Sequence, residues 1–217
     1  MTNTAVETEK YAERPLQIIV NGRAALTIMT HTEDAVNLVY GALFTERVID
    51  KPEDIESVIS DGSQVSVVTK NPYSILLSRK TVLAGCGGAS SFLDTGKLGT
   101  VSGGDAVPAA SVSSALEALP ASSWYAAGIF SANGDVICTA EDITAQNAAD
   151  QVIGFALRNS RFLADTFAVI RGNCSVETVR KIIIAKIPVL GVDGVMTDAA
   201  AHTAEEAGLR IISHIRS

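Results

Sequence analysis

The sequence predicts a layered α/β protein, mostly of three layers. Three observations carry that expectation. Strand-like and helix-like stretches alternate through the second half of the chain. The composition is 47% apolar but only 5% aromatic, so the core must be built from Val, Ile, Leu and Ala. Pairs of turn residues, Asn21-Gly22, Asp61-Gly62 and Asn133-Gly134, divide the apolar runs. Asn-Gly between such runs is a strong hairpin signal, because both residues tolerate positive φ. A chain of 217 residues suits one large domain, or a domain with a smaller lobe.

Residues 1–14 read as a flexible leader. Residues 15–30 read as a hairpin around Asn21-Gly22. A helix is predicted over about 32–47, with Thr32 as N-cap, Glu33 and Asp34 in the first turn, and Val36, Val39, Tyr40 and Leu43 on one face. Residues 55–84 hold two or three strands, broken at Asn71-Pro72. Gly85 to Pro108 is rich in glycine and serine and reads as an active-site loop or interlobe linker. A helix covers 111–119. Trp124–Phe130 and Asp135–Thr139 form a second hairpin. A helix spans 144–158 with Ala148, Val152, Phe155 and Ala156 inward. Thr166–Ile170 is a strand, Arg171-Gly172-Asn173 a turn, and Ser175 caps a helix to about Lys186. Ile187–Gly191 is a strand. Thr197 caps a helix that stops at Gly208. Leu209–Ile215 is the last strand.

Charge and cysteine usage narrow the function. The formal net charge is −7, and no basic stripe for nucleic acid or lysine/arginine cluster for anionic membranes is visible. An anionic ligand held by backbone amides and a few arginines stays possible. Cys86, Cys138 and Cys174 offer no disulfide framework and no paired zinc motif. The polar N-terminus does not read as a signal peptide, and no apolar run has bilayer-spanning length. These features predict a soluble cytoplasmic protein.

Four groups of residues carry candidate chemistry. Cys86 lies in Gly85-Cys86-Gly87-Gly88, where flanking glycines give access, mobility and backbone amides near a thiolate. The alternative is a small buried hydrophobe. Cys138 and Cys174 read more simply as core or cap-adjacent residues. Glu141-Asp142 precede a helix that carries Asn147 and Asp150 on one face; a plain acidic cap is the competing reading. Arg171-Gly172-Asn173 before a helix could cradle a phosphate or be an ordinary tight turn. His31-Thr32-Glu33 matches half of a zinc-deaminase signature, but Pro-Cys-x-x-Cys is absent and a zinc hydrolase is rejected.

Taken in order, these segments resemble one family. PLQIIVNGRAALTIMTHTEDAVNLVYGALFTERVID resembles an N-terminal lobe. AGCGGASSF resembles a cysteine-glycine loop. YAAGIFSANGDVICTAEDITAQNAADQVIGFAL resembles a hairpin and signature helix, usually Glu-Asp-Val-Gly-Arg-His-Asn-Ala-x-Asp. RGNCSVETVRKIIIAKIPVLGV and AEEAGLRIISHIRS resemble the closing segments. The set is similar to the formate dehydrogenase accessory sulfurtransferases, the FdhD/NarQ family, over nearly the whole chain after residue 14.

The resemblance implies a cytidine-deaminase-like three-layer domain with a mixed sheet over 111–217. It also implies a smaller N-terminal α+β lobe over 15–84 and a Cys/Gly-rich loop and linker over 85–110. It implies that Cys86 carries sulfur as a persulfide from a cysteine desulfurase to the bis(molybdopterin guanine dinucleotide) cofactor of formate dehydrogenase, and that the chain forms a homodimer. Gly87 and Gly88 would flank the carrier. Glu141, Asp142, Asn147 and Asp150 would face the cofactor, with Gly172 and Asn173 at a second turn and His214 and Arg216 at the C-terminus. No protein-ligated metal is implied.

The departures matter too. Ala89 stands where many members have a second loop cysteine, and Tyr125 where many have histidine. Thr144-Ala145-Gln146 replaces Gly-Arg-His, and Asn173 replaces the usual arginine, with Arg171 adjacent. A divergent module that binds a guanine nucleotide or the cofactor without transferring sulfur is therefore the second reading, and a purely structural protein the third.

Overall fold

The computed structural model describes residues 12–71, 98–120 and 124–213. The first sheet has the order β2-β1-β4-β3, built from β1 (Arg14–Val20), β2 (Arg23–Thr30), β3 (Ile55–Ser60) and β4 (Gln64–Thr69). Asn21 and Gly22 adopt φ of 51° and 76°, the turn their sequence predicts. Asn21 also joins β1 to β4, exchanging hydrogen bonds with Thr69. Alternation buries Leu16, Ile18, Val20, Leu26, Ile28, Val65 and Val67 on one face. Helix α1 (Ala35–Thr45) covers that face with Leu38, Val39, Ala42 and Leu43.

Helix α1 begins later than the sequence suggests. Asp34, not Thr32, is the N-cap, accepting from the Asn37 backbone N–H. The Thr32 hydroxyl donates across to Gln151 instead, at 2.8 Å. Glu33 thus lies outside the helix. Val36 is only partly covered, while Leu38 is fully buried, so the packed face is rotated from the predicted one.

The second sheet has the order β6-β5-β7-β8-β9 and is mixed. Strand β5 (Tyr125–Ser131) runs antiparallel to β6 (Val136–Asp142) and β7 (Thr166–Arg171). Strands β7, β8 (Val189–Asp193) and β9 (Arg210–Ser213) are parallel. Helix α2 (Ala109–Ala118) covers one face, over Phe130, Phe167 and Val169. Helices α3 (Ala145–Arg158), α4 (Val176–Ile184) and α5 (Asp198–Glu206) cover the other through Ala148, Val152, Val179, Ile183 and Ala204. This is a three-layer α/β domain with a smaller α+β lobe beside it. Two strands lie within 55–71; the rest of the predicted 55–84 stretch is outside the described residues, as is the end of the last predicted strand. Phe155, expected inward, is half-exposed.

Two devices join lobe to domain. Helices α1 and α3 touch backbone to backbone at Gly41 and Gly154: a Cβ on Gly41 would overlap the Asp150 carbonyl, and one on Gly154 the Asn37 carbonyl. Beside that crossing, the Lys181 ammonium of α4 donates to Asp150 at 2.8 Å, Thr45 at 3.0 Å and Glu46 at 3.2 Å. Arg180 bridges Glu46 and Glu177. Burial disfavours the charged lysine, but Asp150 and Glu46 outweigh it and push its pKa up. All three ammonium protons are satisfied.

Candidate functional site

One pole of the second sheet gathers Asp142, Asn147, Gly172 and Asn173 of the predicted site. There β5 begins at Tyr125, and β6, β7, β8 and β9 end at Asp142, Arg171, Asp193 and Ser213. The N-termini of α3, α4 and α5 follow β6, β7 and β8. In open α/β sheets, ligands bind outside the carboxyl ends of the parallel strands. Gly172 has φ 110°, and a Cβ there would run into the Tyr125 ring. Beyond the strands the two loops stay zipped: Cys174 pairs with Met196, and Gly172 N–H donates to the Asp193 carbonyl at 2.9 Å. Gln146 Nε2 donates to Ser175 Oγ at 3.1 Å, tying the start of α3 to that of α4.

Asp142 is wholly buried and is the hub of the pole. Its Oδ2 accepts from the Thr30 hydroxyl at 2.5 Å and Gln151 at 2.8 Å. Its Oδ1 accepts from the backbone of Ile143 at 2.7 Å and His31 at 3.3 Å, and from Asn147 at 3.1 Å. Asn147 also donates to the Met29 carbonyl at 2.7 Å. Asp150, on the same helix, accepts from Lys181 and Thr45. A cofactor contact at any of these three side chains would require breaking bonds that hold lobe to domain.

Arg171 is also engaged. It donates to the carbonyls of Leu116 at 2.5 Å, Pro120 at 2.6 Å and Leu119 at 3.0 Å, and pairs with Asp193 at 3.2 Å. The guanidinium closes the C-terminus of α2, where the helix dipole favours a cation. Its donors are thus taken up by the chain itself, as the tight-turn reading of Arg171-Gly172-Asn173 expects. Asn173 itself is exposed at the pole.

A cleft of about 540 Å³ opens where the lobe meets edge strand β6. Arg14, His31, Thr32 and Glu33 line it from the lobe; Pro120, Thr139, Glu141 and Gln151 line it from the domain. Trp124 stacks on His31 with ring centroids 5.1 Å apart. Sequence reasoning singled out Glu141 here but missed Arg14, Gln151 and the Trp124–His31 pair. The signal available was the spacing of Asn147 and Gln151, one helical turn apart on the face turned to Asp142.

Two of the three cysteines are placed. Cys174 is buried, and Cys138 is partly buried with its thiol toward the Val152 carbonyl at 3.5 Å. Burial pushes both thiols up to about 12. Cys86, Gly87, Gly88, His214 and Arg216 lie outside the described residues. Among the described residues no group of His, Cys, Asp or Glu could hold a metal ion, and no helix is long and apolar enough to cross a membrane.

The fold and site define a two-lobed α/β protein with an interlobe cleft beside a pole of helix N-termini. The chain belongs to the FdhD/NarQ family, whose model matches residues 11–217. It is 28% identical to the sulfur carrier protein FdhD of Nocardia farcinica, over 94% of this chain and 82% of that one. It is also 28% identical to the protein of that name from Anaeromyxobacter dehalogenans, over 98% and 85%. A solved structure described as a formate dehydrogenase accessory protein, from Desulfotalea psychrophila, superposes with TM-score 0.72 at 20% identity, covering 94% of this chain and 84% of that one.

Proposed function

We propose that the chain is a sulfur carrier serving formate dehydrogenase, with Cys86 as the carrier. The observation that carries this reading is the state of the other two thiols. A carrier must present a thiolate to a bulky donor. Burial pushes the thiols of Cys138 and Cys174 up to about 12, so both stay protonated near neutral pH. Cys86 is the remaining cysteine and sits among glycines.

In acceptance, the Cys86 thiolate attacks the outer sulfur of a persulfide on a cysteine desulfurase. The new S–S bond forms as the donor's S–S bond breaks, and the donor cysteine leaves as thiolate. In delivery, an acceptor attacks the outer sulfur of Cys86 and Cys86 leaves as thiolate. Ala89 offers no neighbouring thiol to divert the persulfide into a disulfide at the loop. The recipient in this reading is a bis(molybdopterin guanine dinucleotide) cofactor, bound as cargo. The cleft volume lies within the range of small-molecule sites and would take one end of it. The pole, with backbone N–H groups and exposed Asn173, is suited to its phosphates. The working unit is a cytoplasmic homodimer.

The test is intact mass after incubation with a cysteine desulfurase and cysteine, alongside Cys86→Ala. The expected result is a gain of one sulfur in the parent alone, reversed by a reductant. No gain, or an equal gain in the variant, refutes the carrier role. It would then favour a module that binds the cofactor without chemistry, which the departures at Ala145, Gln146 and Asn173 already motivate.

A further inference from the structure

The chain has two Asn-Gly pairs, and the fold treats them differently. Asn-Gly is a dipeptide prone to losing side-chain ammonia, because a glycine without Cβ leaves its amide nitrogen open to the asparagine carbonyl before it. Whether that chemistry runs in a folded chain depends on how freely nitrogen and side-chain carbon can meet. Asn21 is held. Its Oδ1 accepts from the Thr69 backbone N–H at 2.9 Å, and its Nδ2 donates to the Thr69 hydroxyl at 2.8 Å. Its own N–H donates to the Val67 carbonyl at 2.9 Å. The side chain extends the β1–β4 pairing and must give up two bonds before it can turn on Gly22.

Asn133 stands at the tip of the β5–β6 hairpin. There the Gly134 N–H donates to the Ser131 carbonyl at 2.9 Å, and the Ser131 N–H to the Asp135 carbonyl at 2.9 Å. They close a loop with Gly134 at φ 95°, held clear of the sheet. The Asn133 side chain is exposed, and among the described residues no hydrogen bond holds it. Its neighbours bond each other instead: Ser131 Oγ donates to Asp135 Oδ2 at 3.1 Å and accepts from the Asp135 N–H at 3.2 Å. Reaction here gives up one bond, that of the Gly134 N–H, at a solvated turn. We propose that Asn133 is a site of spontaneous modification in the folded protein, and that the Thr69 contacts protect Asn21. The Gly134 nitrogen attacks Asn133 Cγ. The new C–N bond forms as the Cγ–Nδ2 bond breaks, and ammonia leaves with the proton from Gly134. Water then opens the cyclic imide at either carbonyl, giving aspartate or its β-linked isomer. No oxidant or reductant takes part. A neutral amide becomes a carboxylate, so the formal net charge moves from −7 to −8. The new charge lies two residues from Asp135, and the β-linked form adds a carbon to the backbone between β5 and β6. The chemistry is independent of the carrier role.

Incubation of the full chain at pH 8, in buffer and in urea, with peptide mass mapping, reads both sites in one sample. The expected result in buffer is conversion at Asn133 at least tenfold faster than at Asn21. In urea, where neither side chain is held, the two rates should come within threefold. Asn133→Ser should remove the acidic species that isoelectric focusing shows for the aged parent. Thr69→Val, with a native circular dichroism spectrum, should speed conversion at Asn21 at least threefold and leave Asn133 unchanged. Native rates within threefold of each other, or a faster Asn21, overturn the proposal. So does an Asn133 that stays intact in buffer while the unfolded chain converts it.

Discussion

Removing the Lys181 ammonium while keeping its stem tests what locks the lobe to the domain. Lys181→Met leaves the Asp150 carboxylate, 2% exposed, with only the Thr45 hydroxyl as donor. Deleting one partner of a buried ion pair typically costs about 3–5 kcal/mol, because the survivor stays desolvated and uncompensated. Against a total stability of about 5–15 kcal/mol that is a large share. With a urea m-value of about 3 kcal/mol/M, the midpoint should fall by about 1–1.7 M. Asp150 can escape by taking up a proton, so the deficit should shrink as pH falls. The double variant Asp150→Leu with Lys181→Met replaces the charged pair with apolar side chains and should recover at least half of the loss. Equilibrium urea unfolding followed by circular dichroism measures all three. A single variant within about 1 kcal/mol of the parent, or a double variant no better than the single, would refute the account.

Glu46 extends the network and sets a pH dependence. Burial alone would raise its carboxyl, but Lys181 and Arg180 outweigh it and hold the pKa below the usual glutamate range. A depressed folded-state pKa contributes stability above about pH 4.3 that is lost as pH falls through the folded value. Glu46→Gln should therefore unfold at lower urea than the parent at neutral pH, and the gap should close in acid. Asp142→Asn turns two of five donors against an amide nitrogen and should cost about 2–4 kcal/mol, read as a lower melting temperature. Alkylation at pH 8 should modify one thiol quickly in the native parent and none quickly in Cys86→Ala. Cys138 and Cys174 should react only after denaturation; fast labelling of either contradicts their burial.

Much of the architecture was legible because local chemistry and tertiary packing agree. Asn21-Gly22 and Asn133-Gly134 turn where they must. Thr144 and Thr197 cap their helices through bonds to Asn147 and Ala200. Gly208, at φ 72°, ends α5. The first helix was misjudged because Thr32, a good cap in isolation, is claimed by Gln151 from 119 residues away. The partners of Arg171 were hidden for the same kind of reason: they are carbonyls at and just beyond the end of α2, more than fifty residues upstream. Among candidate site residues, sequence spacing does not give the division of labour. Nothing local tells that Asp142 faces inward while Glu141 faces the cleft. That depends on which side of edge strand β6 the lobe packs against.

The altered signature shows how far such a departure is fixed by packing. Where the resemblance leads one to expect Gly-Arg-His, this chain has Thr144-Ala145-Gln146. Thr144 is the working N-cap of α3, so the first change keeps a helix start. Gln146 spans to Ser175 with a neutral bond. Ala145 is 2% exposed and belongs to the main core, beside Ala148 and Ala149. An arginine there would have no room, and overpacking costs about 1–3 kcal/mol before the charge is desolvated. Ala145→Arg should therefore lower the melting temperature without tightening GDP binding, whereas Gln146→His, at a half-buried position, should be tolerated. Calorimetric titration with GDP on both variants decides it. If Ala145→Arg kept the parent's melting temperature and bound GDP tenfold tighter, the pole would be an anion site missing only its cation. If it does not, any phosphate held at this pole would rest on backbone N–H groups and Asn173, and its affinity should depend little on salt.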